Sequence, residues 1–173
     1  MSLLERTRTR LIVIDVQEAF RPYPSFARVA AAAAKLVQAA RILELPVLVS
    51  EQYPNGLGHT AVEVGLTEEP ILEKSAFSAV RADGFELGAE QVIVCGIETH
   101  VCVSQTVHDL LGRGLDVHVP ADAVGSRHEL DHELGLARMA RAGAVVSSVE
   151  ASLFELLERA GTPEFKAVQK LIV

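Results

Sequence analysis

The 173 residues are 49% hydrophobic and carry 16 basic against 23 acidic side chains, a net charge of −7. That length fits one domain over 1–173, able to bury roughly 70% of its unfolded surface. The acidic balance, with no basic block beyond "RTRTR" at 6–10, leaves no electrostatic footprint for nucleic acid, and no apolar run approaches the ~18 residues that span a bilayer. The first ten residues lack a signal-peptide core, so the reading is a soluble, cytoplasmic protein with neither nucleic acid nor membrane as partner.

Along the chain, "RLIVIDV" (10–16) is a buried strand rather than an alternating, half-exposed one. It delivers Asp15 to its end, where a carboxylate without a partner is costly. The stretch 25–43 reads as a helix whose "VAAAAAKLVQAAR" packs closely. "PVLVS" (46–50) is a second strand, with Glu51 where it stops. Residues 51–65 hold Pro54, Asn55-Gly56 and further glycines, the composition of a loop. The short run 71–73 completes the strand set and precedes Lys74, whose ordinary reading by itself is a solvated lysine.

The strand "QVIVCG" (91–96) buries Cys95 as an inert core thiol. After the turn at 96–102 a helix is expected over 99–113. Thr99 is a plausible N-cap, which places Cys102 in the first turn, where free amides and the helix dipole lower a thiol's pKa. The competing reading of Cys102 is a small buried apolar residue. Strands at 115–120 and 144–148, with helices at 128–142 and 150–160, finish the pattern. Apolar residues at 165, 168, 171 and 172 suit a last helix packed on its own domain or on a neighbour.

Alternating buried strands and amphipathic helices predict an α/β fold, a three-layer α-β-α sandwich with a central, mostly parallel sheet and Rossmann-like topology. Ligands in such folds collect beyond the carboxyl ends of the strands, which directs attention to Asp15, Glu51 and the 96–102 turn. His128, Glu129 and His132 in "RHELDHELGLAR" fit H-E-x-x-H, with Gly135 at the metzincin glycine position. Arg138 stands where the third histidine belongs, and Asp131 and Glu133 suit a solvated face better than a zinc helix. Cys95 and Cys102, on a strand and its following helix, are poorly placed for a disulfide, as in a reducing compartment.

With "IDVQEAF" (14–20), "EKSAFSA" (73–79), "VIVCGIETHVCVSQT" (92–106) and "GRGLDVHVPADAVGSR" (112–127) in order, the chain resembles the isochorismatase-like cysteine hydrolases over nearly its whole length. "SEQYPNGLGHT" (50–60) and "TPEFKAVQKLI" (162–172) are similar to the branch of isochorismatase-domain-containing proteins. The resemblance implies a catalytic triad of Asp15 as base, Lys74 as its partner and Cys102 as nucleophile. It implies a non-proline cis peptide at Ile97-Glu98 and an oxyanion hole from the amides of Glu98 and Cys102. It further implies cleavage of a small amide or related C–N bond through a thioester, in a homo-oligomer, dimer or tetramer.

Phe20, Tyr53, Phe77, Thr99 and His100 are the candidate substrate contacts. No cofactor and no metal is expected: the loop that carries Asp-x-His in the family's nicotinamidases has only His59 here. Cys102 itself argues against the vinyl-ether cleavage of true isochorismatases, which lack that cysteine. The alternatives are a binding or scaffolding protein with an idle triad, and a zinc hydrolase at His128 and His132.

Overall fold

A computed structural model describes residues 2–172. Seven strands form one sheet in which every ladder is parallel: β1 (Thr9–Ile14), β2 (Val47–Gln52), β3 (Ile71–Lys74), β4 (Gln91–Ile97), β5 (Asp116–Pro120), β6 (Val124–Gly125) and β7 (Val145–Ser147). The order is β3-β2-β1-β4-β5-β7, with the short β6 pairing β4 beyond the end of β5. The chain therefore winds outward from β1 in one direction and from β4 in the other. The crevice between these two neighbouring strands is the topological switch point, where α/β sheets bind ligands.

The helices are α1 (Phe26–Leu43), the one-turn α2 (Pro54–Leu57), α3 (Ser104–Gly112), α4 (Glu129–Ala142), α5 (Val149–Leu157) and α6 (Pro163–Ile172). Strand alternation divides the core into two layers. Leu11, Val13, Ile93 and Cys95 face the layer of α1, α5 and α6, whereas Ile12, Ile14, Val92 and Val94 join Val103, Val107 and Met139 on the other side. Cys95 and Cys102 thus belong to opposite faces of the sheet, and both are free. Ala30, Ala33, Ala39 and Ala40 of α1 are buried, so the alanine run is a close-packed helix face. Phe165, Val168, Leu171 and Ile172 of α6 pack into the α1 layer, so α6 lies on its own domain.

Two strand boundaries that differ from the sequence reading bear on the site. β1 stops at Ile14 because Asp15 turns into the left-handed region at φ 50°, a conformation that Asp tolerates better than branched residues. β2 continues past Ser50 to Gln52, so Glu51 is inside a strand instead of at its end. Its carboxylate turns away to accept the Thr60 N–H at 2.6 Å and to meet His59 Nδ1 at 3.0 Å. Among the described residues, no helix is long and apolar enough to cross a membrane.

Where β1 and β4 run side by side, Gly96 sits at φ 127°, and a Cβ there would lie 1.9 Å from the Ile14 carbonyl oxygen. No rotamer relieves a clash with backbone. Gly96→Ala is expected to cost at least about 3 kcal/mol, read from the denaturant midpoint. A midpoint equal to wild type would contradict this packing.

Candidate active site

Asp15 follows β1 and is fully buried. Lys74, the last residue of β3, reaches past β2 and donates from Nζ to Asp15 Oδ2 at 2.7 Å, with neither side chain exposed. The ammonium also meets Gln52 Oε1 at 2.7 Å and the carbonyls of Phe77 at 3.0 Å and Ala76 at 3.3 Å. Ser50 Oγ donates to the other carboxylate oxygen, Asp15 Oδ1, at 2.7 Å. Behind them Gln17 clasps the β2 end, accepting the Gln52 N–H at 2.8 Å and donating to the carbonyls of Gln52 at 3.0 Å and Gly58 at 2.6 Å.

Cys102 approaches from β4. The segment Thr99–Val103 is a π-helical turn that leads into α3, rather than the first turn of an α-helix. The Glu98 carbonyl accepts from Val103 N–H at 3.2 Å, and the Thr99 carbonyl accepts from Ser104 N–H, both spanning five residues. The Ile97-Glu98 peptide is cis. Cys102 is 7% exposed, and its sulfur lies near enough to Asp15 and Lys74 for both to act on its charge. The segment after Lys74 is tied to α3 as well: Ala79 N–H donates to Thr106 Oγ1, and Arg81 grips both Asp109 carboxylate oxygens.

The electrostatics correct the helix-terminus argument. Burial pushes the Cys102 thiol up to about 12, the Asp15 carboxylate pushes the same way, and Lys74 opposes them without prevailing. Burial alone takes Cys95 up to about 12. Burial likewise raises Asp15 above the ordinary carboxylate range, against the pull of Lys74, Ser50 and Cys102. Cys102 is therefore a thiol beside a carboxylate of strengthened basicity, not a preformed thiolate.

The remaining candidates scatter. Phe20 is half-buried and stacks at a tilt on Tyr23, with ring centroids 5.3 Å apart. Tyr53 and Phe77 join the site through backbone, Tyr53 N–H donating to the Lys74 carbonyl at 2.9 Å, while the two residues are 60% and 53% exposed. Thr99 makes no side-chain cap; its hydroxyl meets Nδ1 of buried His132 at 3.0 Å. His100 is half-buried with Nδ1 3.0 Å from Ser126 Oγ, and the Glu98 carboxylate accepts the Arg127 N–H at 3.0 Å.

The H-E-x-x-H match resolves as packing. His128 is exposed at the α4 N-cap, His132 is buried against Thr99, and a Cβ at Gly135 would fall 3.0 Å from Thr99 Cγ2 and 3.1 Å from His100 Cα. Among the described residues, no three His, Cys, Asp or Glu side chains gather to hold a metal ion.

A family model, "Isochorismatase domain", matches residues 9–151. The chain belongs to the isochorismatase family. Isochorismatase domain-containing protein 2A of Mus musculus is 41% identical over 167 residues, covering 94% of this chain and 81% of the relative. The structure of MAR1 ribonuclease from Caenorhabditis elegans superposes with a TM-score of 0.92 at 39% identity, covering 99% of this chain and 92% of that one. The Escherichia coli YcaC gene product, an octameric hydrolase of unknown specificity, shares the fold with a TM-score of 0.84 at 20% identity, over 99% of this chain and 91% of its own. Isochorismatase-family membership supports a general hydrolase role. Ser50, Gln17 and Gln52 are site neighbours that motif reading missed; the available signal was the polar pair Ser50 and Gln52, two apart at the end of an apolar strand.

The raised thiol has a direct readout. Thiolate is the reactive form, so Cys102 is expected to react with iodoacetamide more slowly at pH 8 than a free cysteine of pKa ~8.5, and its rate to be still climbing at pH 10. Cys95 is expected to stay silent until the protein unfolds. A Cys102 rate that levels off below pH 8, followed by mass spectrometry, would contradict this electrostatic picture.

Proposed function

We propose that this chain is a cysteine hydrolase that cleaves a small amide or related C–N bond through a thioester on Cys102. The observation that carries the reading is the convergence of Asp15, Lys74 and Cys102 at the switch point of the sheet. As Cys102 Sγ attacks the carbonyl carbon, its proton passes to Asp15, whose elevated basicity suits a general base toward a thiol that is not ionised at rest. The negative charge that develops on the carbonyl oxygen is held by the backbone N–H groups of Glu98 and Cys102. Asp15 then gives its proton to the departing nitrogen, and ammonia or an amine leaves. Water attacks the thioester, Asp15 takes a proton from it and passes it to the departing sulfur, and the carboxylic acid and free thiol are released. Lys74 holds Asp15 in place throughout.

No step in this scheme calls for a metal or cofactor. We take the working form to be a cytoplasmic homo-oligomer, dimer or tetramer, with a small-molecule substrate. The competing reading is RNA cleavage, the activity in the name of the C. elegans neighbour. A net charge of −7 supports the small-molecule reading, because affinity for a phosphate backbone draws on lysine and arginine.

The test is ammonia or amine release across a panel of small amides, with wild type, Asp15→Asn, Lys74→Met and Cys102→Ala compared on any amide that turns over. Each variant is expected to lose at least about a thousandfold in kcat, and acid quenching of wild type to trap an acyl adduct on Cys102. Full turnover by Cys102→Ala would sink the thioester scheme. RNA cleavage that exceeds every amide and survives in Cys102→Ala would favour the competing reading.

A further inference from the structure

Ser50 is fully buried and interrupts the apolar run of β2 at the register opposite Ile14. A strand position facing a core ordinarily takes Val or Ile, and either would leave Asp15 Oδ1 without its donor. Ser50 instead holds Asp15 at two points. Its carbonyl accepts the Asp15 N–H at 3.1 Å, and its hydroxyl donates to Oδ1 at 2.7 Å. Backbone and carboxylate are thereby fixed together just where the chain turns into the left-handed conformation at φ 50°.

The charged and titratable groups facing the carboxylate are Lys74 from β3 and Cys102 from the π-helical turn. With Lys74 on Oδ2 and Ser50 on Oδ1, rotation of the carboxylate about its Cβ–Cγ bond would break both contacts, so the face left toward Cys102 is set. A hydroxyl donating to a carboxylate also favours the ionised form.

We propose that Ser50 is a positioning residue for Asp15, orienting the carboxylate toward Cys102 and setting the pH at which it takes up a proton. The catalytic consequence rests on the reading of Asp15 as general base; the hold on Asp15 does not.

The experiment is a ¹³C NMR titration of protein labelled at aspartate carboxyl carbons, with the Asp15 resonance assigned by its loss in Asp15→Asn. The pH profile of Cys102 acylation by p-nitrophenyl acetate is recorded alongside it, with Cys102→Ala as the blank. Ser50→Ala is expected to move Asp15 titration to higher pH, lowering the ionised-to-protonated ratio at the wild-type midpoint roughly fivefold. The acid limb of acylation is expected to move with it. Ser50→Thr, which keeps the hydroxyl, is expected to return both toward wild type. Should Ser50→Ala fail to fold, Ser50→Cys, nearly isosteric and a weaker donor, is expected to move both in the same direction by less.

A folded Ser50→Ala or Ser50→Cys protein whose Asp15 resonance and acylation profile both coincide with wild type overturns the proposal. If the resonance moves and the acylation limb does not, Ser50 keeps its hold on Asp15 and the general-base role of Asp15 falls.

Discussion

The site depends on one buried ion pair, Lys74 Nζ to Asp15 Oδ2 at 2.7 Å, with no solvent on either side chain. Taking two charges out of water costs several kcal/mol each, and the pair survives only where further hydrogen bonds complete it. The structure supplies them around the ammonium from Gln52, Ala76 and Phe77, and around the carboxylate from Ser50. The two charges come from strands separated by β2, about 10 Å apart in a sheet. That span needs the long stem of a lysine, and it obliges the intervening strand to show polar atoms where it passes. Ser50 and Gln52 are two apart and so face the same side, while Glu51 between them faces the other way and secures the loop at 59–60.

Much of the fold could be read from apolar runs alone, because strands buried on both faces lack alternation and the intervening helices do not. Asp15 and Cys102 stand out for a similar reason, at the edges of such runs, whereas Lys74 by itself reads as a solvated lysine and is singled out only by the family resemblance. Their supporting residues gave no comparable signal. Serine and glutamine at strand ends are commonplace, and the geometry that gives Ser50 its two contacts arises only when β2 is laid beside β1. The extension of β2 to Gln52 was equally hidden, since "EQYP" has loop composition and Glu51 and Gln52 pair only with β3.

The state of the thiol is the instructive failure. Reasoning from a helix N-terminus predicts stabilised negative charge on sulfur, but a terminal dipole amounts to partial charges that weaken within a turn. Desolvation acts on the whole charge. At 7% exposure and beside a carboxylate, Cys102 loses more hydration than the turn returns. The H-E-x-x-H pattern misleads differently: the i, i+4 spacing that would suit two zinc ligands here only follows α4, with His128 exposed and His132 turned to Thr99. Its glycine is spatial, since Gly135 lets the helix backbone come up against residues 99 and 100.

The π-helical turn at Thr99–Val103 brings a constraint of a different kind. Each residue advances a helix by about 100°, so removing one residue from this turn would tighten it toward α geometry and swing the sulfur away from the carboxylate. The number of residues between Ile97 and Ser104 is thus a structural quantity in its own right. The loop at 65–70, at the far end of β3 from Lys74, carries no such phase, and the chain can lengthen or shorten there without turning the sulfur or the carboxylate.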